Sequence, residues 1–126
     1  MPIAPPVEQQ PEIHLEDWVV ARIGPDMHGR SAYALLGVPV ESGVMRMTTF
    51  LVSYDAYERT ATTESGRIYH LVGDSSIARP HRDTLPMIQQ YCRSHGVPME
   101  LIALVPLPAM ADAVPAPEVP AAAWRH

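Results

Sequence analysis

The chain has 126 residues, a formal net charge of −5 at pH 7 and a sequence pI near 5.6. That is one domain's worth of chain, since domains commonly hold roughly 100–150 residues. Its nine basic residues are scattered rather than striped, which works against a phosphate-binding surface. All of them are Arg; Lys and Asn are both absent. AT-rich codons specify those two residue types, so a GC-rich bacterial or phage source is expected.

A single cysteine, Cys92, makes no internal disulfide and fits a reducing compartment. The opening MPIAPPVEQQ lacks the positive start and apolar run of a secretory signal. No window approaches the roughly 18 apolar residues of a membrane span, so a cytoplasmic protein without membrane contact is expected. Fourteen prolines are unevenly placed, with four in residues 1–11 and five in 105–120. Residues 1–12 and 108–126 therefore read as Pro-rich arms, and 13–107 as the globular part.

In chain order, Leu15 to Ile23 is expected as a strand ended by the turn Gly24-Pro25-Asp26. Ala32 to Val40 is a second strand, at an edge or bent where Pro39 removes a donor. Val44 to Tyr54 is the longest strand candidate. Strict alternation puts Phe50, Val52 and Tyr54 on one face and Met45, Met47, Thr49 and Leu51 on the other. Arg59 to Val72 reads as a hairpin, with Thr, Ile, Tyr and Val on its arms and Glu64-Ser65-Gly66 at its turn. Gly73 to Pro80 is loop. A helix follows, capped by Asp83 or Thr84, with Pro86 in its first turn and Leu85, Ile88 and Cys92 at helical spacing. Arg93 and His95 suit its carboxyl end and Gly96 stops it. Glu100 to Val105 is a last strand. The fold expected is α+β: a bent antiparallel sheet or small open β-barrel, one packed helix and Pro-rich terminal arms.

Among chemical motifs, Leu71 to Ser75, LVGDS, resembles the first block of the SGNH (GDSL-type) hydrolases. The resemblance implies Ser75 as nucleophile, with His70 or His81 as its base. The chain departs from that family: the block lies past the middle, no Asn exists for the oxyanion block, and the late Asp-x-x-His pair is missing. His81-Arg82-Asp83 spells a kinase catalytic triplet, but the required Lys and Asn are absent. Cys92 and His95 form half a metal site at most, so neither metal nor cofactor is expected. The run TTFLVSYD with TATTESGRIYHL resembles small uncharacterised bacterial β-rich proteins carrying a T-x-S-G-R-x-Y-x-L hairpin, which implies a β-rich fold only, since those proteins have no established activity to carry over.

Arg67 and Tyr69, beside Glu64, are candidates for a polar recognition face, and Trp124 for an aromatic anchor at an interface. The expected function is a non-catalytic protein-binding or structural module that contacts another protein or a larger assembly. Sheet edge and extended arms are its means. A serine hydrolase using Ser75 is one alternative. A nucleic-acid-binding small barrel is another; it requires several of Arg22, Arg30, Arg46, Arg59, Arg67 and Arg79 on one face beside Tyr54, Tyr57 or Tyr69.

Overall fold

A computed structural model describes residues 10–106. Its strands are β1 (Glu12–Ile23), β2 (Ala32–Pro39), β3 (Arg46–Asp55), β4 (Thr60–Thr63) and β5 (Ile68–Leu71). Helix α1 (Thr84–His95), a 3-10 turn (Met99–Leu101) and β6 (Ile102–Val105) complete the order. Domain ends 1–9 and 107–126, including Trp124, lie outside the described residues.

The strands form one sheet of order β2-β3-β4-β5-β1-β6, and an additional β1–β2 pairing closes β1 to β5 into a ring. The sheet is α+β's mixed kind, not wholly antiparallel as expected from the meander. β5 runs parallel to β1, with Glu12 opposite Ile68 and Leu15 opposite Leu71. The reason is parity. Each turn of a meander reverses the chain, so a ring of five strands brings its first and last together in the same direction.

Bulges supply the curvature. In β1 the register slips between Glu16 and Val19, where Asp17 takes a positive φ of 48°, a conformation that Asp tolerates better than most residues. In β3 it slips twice, opposite Ala34 to Leu36 and again between Leu51 and Ser53. Each extra residue bends its strand and deepens the twist. It also flips the side-chain alternation, which overturns the expected faces of β3. Met47 and Phe50 pack together on the helix side, whereas Leu51 and Tyr54 point into the ring. Thr48 stitches the first β3 bulge: its hydroxyl accepts the Leu35 N–H at 3.0 Å and donates to the Thr49 carbonyl at 2.6 Å.

Two apolar layers result. Ile13, Leu15, Trp18, Val20, Leu35, Leu51, Tyr69 and Leu71 fill the ring. Val19, Ala21, Ile23, Ala34 and Leu36 face outward and are covered by Ile88 and Cys92 of α1. β1 is thus buried on both faces in its second half, which explains the apolar run Trp18-Val19-Val20-Ala21 and Ile23, broken only by the half-buried Arg22. At Gly37 the sheet folds on itself so closely that an added Cβ would stand 2.6 Å from Leu15 Cγ.

The hairpin forms as expected, with Thr60 opposite His70 and Gly66 at φ +91° in its turn. Pro39 lies beyond the last β2–β3 pair, where its missing donor breaks no ladder bond. The helix ends at Gly96, in the left-handed conformation with φ 66°. Its start differs from expectation. Asp83 is the N-cap but makes no side-chain cap bond, because it already has helical φ and ψ. His81 serves instead: its carbonyl accepts the Thr84 N–H at 2.9 Å and its Nδ1 the Asp83 N–H at 3.0 Å. Leu85, expected on the buried stripe, is 54% exposed; Thr84, Ile88 and Cys92 take the inward positions.

Candidate functional site

The sheet order terminates at β6, which pairs with β1 alone among the described residues. The Gly24 N–H donates to the Leu101 carbonyl at 2.8 Å. In an antiparallel ladder bonded pairs alternate, so Ala103 and Val105 also bond inward to β1. Ile102 and Leu104 then turn their peptide groups outward. The Ile102 N–H confirms the phase, for it donates to Met99. Among the described residues, the Ile102 carbonyl and both backbone groups of Leu104 remain as an open edge.

An apolar groove of about 400 Å³ runs beside that edge. Its walls are Leu85 and Ile88 of α1, Met99, and Ile102 and Leu104 of β6. Pro80, His81, Arg82 and Thr84 complete its lining. Leu85 and Met99 are among the exposed large hydrophobic residues, at 54% and 39%. Arg82 is exposed and makes no ion pair with a described residue, whereas His81 has Asp83 Oδ2 at 3.8 Å.

A second cluster sits on the β1–β5 seam. His14 and His70, directly opposite in register, stack with ring centroids 4.8 Å apart and planes 17° from parallel. Each ring donates to a carboxylate: His14 Nδ1 to Glu41 Oε2 at 2.8 Å, and His70 Nε2 to Glu12 Oε1 at 2.5 Å. Burial opposes charge on Glu41, but hydrogen bonds from the His14 ring and amide outweigh it and hold the carboxyl below its usual range. With their nitrogens turned to separate carboxylates, the two imidazoles fasten the seam and the β2–β3 turn. Among the described residues no group of three or more His, Cys, Asp or Glu side chains is arranged to hold a metal ion.

The residues singled out from sequence fare differently. Arg67 and Tyr69 present no exposed recognition face; they are buried, at 5% and 3% exposure. Tyr69 fills the ring, and Arg67 Nε donates to the Gln10 carbonyl at 2.9 Å, tying the turn before β5 to the start of β1. Ser75, His70 and His81 are not joined by hydrogen bonds. Ser75 Oγ accepts the Ile77 N–H at 3.3 Å, His70 is held by Glu12, and His81 Nδ1 by the Asp83 amide. Burial, and secondarily Glu100, pushes the Cys92 thiol up, and its neighbour is Met99 Sδ at 3.5 Å. His95 instead lies on the Tyr91 ring, 4.3 Å between centroids, so the two do not converge.

The arginines occupy different elements: Arg22 in β1, Arg46 in β3, Arg59 and Arg67 in the turns flanking β4, Arg30 and Arg79 in loops. Arg59 donates to the Gly73 carbonyl. Between β3 and β4 a polar depression is lined by Ser53, Tyr54, Asp55, Ala56, Thr60 and Thr62; burial raises the Tyr54 phenol, with Arg59 acting against it and Asp55 with it.

Sequence reasoning named neither the groove nor the histidine stack. The groove could have been suspected from Leu85, which falls one position off the spacing-by-four of Thr84, Ile88 and Cys92. The stack is a product of register between distant strands and has no local signal. Among the described residues no helix is long and apolar enough to cross a membrane. No protein-family model, no curated protein and no solved structure matches the chain.

Proposed function

We propose that this protein is a non-catalytic binding or accessory module that contacts another protein through the outer edge of β6 and the groove beside it. The observation that carries the reading is a terminal strand with outward peptide groups bordering an apolar groove. Strand addition draws affinity from main-chain hydrogen bonds and selectivity from side-chain pockets. Both ingredients lie side by side here. The ring serves in this reading as a small open barrel, a stiff frame that holds the edge in place. The Pro-rich ends, 1–12 and 108–126, are a second means of contact on the strength of their composition. A cytoplasmic setting in a bacterial or phage system fits the lone cysteine and the residue usage.

The test is affinity purification from the native host with the wild-type chain and with Leu85→Glu. This change places a charge on the exposed groove wall without touching the core. A partner retained by the first and lost by the second supports the reading. Identical recovery with both sinks it.

A further inference from the structure

Resting on the edge-docking reading above, we infer that the occupant of the groove is an extended peptide with alternate apolar side chains and an acidic residue at one end. Three features specify it. Among the described residues, the open carbonyl of Ile102 and both peptide groups of Leu104 form a ladder suited to another extended backbone. Ile102 and Leu104 point toward the helix layer, so every second side chain of an added strand enters the groove and the others face away. The only formal positive charge lining the groove that lacks a carboxylate partner among the described residues is Arg82. His81 is engaged by Asp83, whose backbone N–H donates to its Nδ1.

The geometry also assigns the end. Cys92, late in α1, touches Met99 at the start of the return segment. Helix and β6 therefore run in opposed directions, and Arg82, just before α1, lies toward the Leu104 end of β6. A peptide added antiparallel to β6 brings its amino-terminal side to Arg82, so the acidic residue precedes the apolar ones. The chain as a whole carries a charge of −5. Long-range attraction thus favours a basic peptide, and any preference for an acidic one reports the local contact.

The experiment is an anisotropy titration of the full chain with three fluorescein-labelled octapeptides. The first is Asp-Glu-Thr-Val-Thr-Val-Thr-Ser, the second replaces its first two residues by Lys-Lys, and the third is the first with both valines N-methylated. The expected result is tighter binding of the acidic probe than the basic one by about three- to fivefold, the scale of one exposed ion pair. N-methylation, which removes ladder donors, abolishes binding. Arg82→Glu inverts the preference with an unchanged circular dichroism spectrum, and Leu85→Glu weakens both probes. Equal affinity for acidic and basic probes, or a preference untouched by Arg82→Glu, overturns the acidic-peptide inference. If N-methylation and Leu85→Glu still weaken binding in that case, edge docking itself stands. Failure of every probe to bind up to about 1 mM, the weakest range of specific association, overturns strand addition. Loss or retention of the host partner on Leu85→Glu then judges the broader reading separately.

Discussion

β5 and β6 occupy the same edge of β1, opposite β2, yet they end in different circumstances. β5 lies against residues 12–15 and is paired on both sides, by β4 and by β1. β6 lies against residues 20–23 and is paired on one side only among the described residues. Between them the Trp18 carbonyl accepts the amide and hydroxyl of Ser76, at 2.9 and 3.2 Å, so the loop after β5 plugs the gap. The same edge thus carries a seam paired on both sides at residues 12–15 and a strand open on its outer side at residues 20–23, among the described residues. Rigidity and availability are separated along one strand by the Asp17 bulge.

The seam is broken hardest at Trp18, which is fully buried in the ring and donates its Nε1–H to the Gly73 carbonyl at 3.2 Å. Trp18→Ala is expected to cost about 3–5 kcal/mol, the range for emptying a large core site, read as a shift in urea midpoint. Gly37→Ala comes next, at about 1–3 kcal/mol for overpacking, because the new Cβ meets Leu15 Cγ and the Glu16 carbonyl. Glu41→Gln is smaller, no more than about 1 kcal/mol at neutral pH for so exposed a pair, and it carries a pH signature. A carboxyl held below its ordinary 4.5 stabilises the fold above that value. The contribution fades as pH falls through the folded value, so wild-type and Glu41→Gln stability curves converge on acidification. The smallest effect falls on the open side. Leu85→Ser leaves stability within about 0.5 kcal/mol, as an exposed substitution does, which thermal melting checks; a loss of several kcal/mol there refutes the distinction between closed and open regions.

The parts legible in the sequence are those governed by local chemistry. The Glu64-Ser65-Gly66 turn, the Gly96 stop and the helix over Ile88 and Cys92 all declare themselves within a few residues. The bulges do not. An inserted residue leaves no mark on composition, yet Asp17 decides that Trp18 faces inward, and the β3 bulge separates Met47 from Leu51. Arg67 is buried for a related reason: its charge signals a surface, but its position sets its Nε against the Gln10 carbonyl, just before β1. The His14–His70 stack and the β6 groove depend on which strands meet, and that information is distributed over the whole chain.

One consequence follows from closure of the ring. Proteins with two unpaired margins can be joined end on end into growing fibres, whereas here β6 is the single strand that terminates the sheet among the described residues. A molecule docking there exhausts the growth point. Two copies pairing through it would leave no further unpaired strand among the described residues.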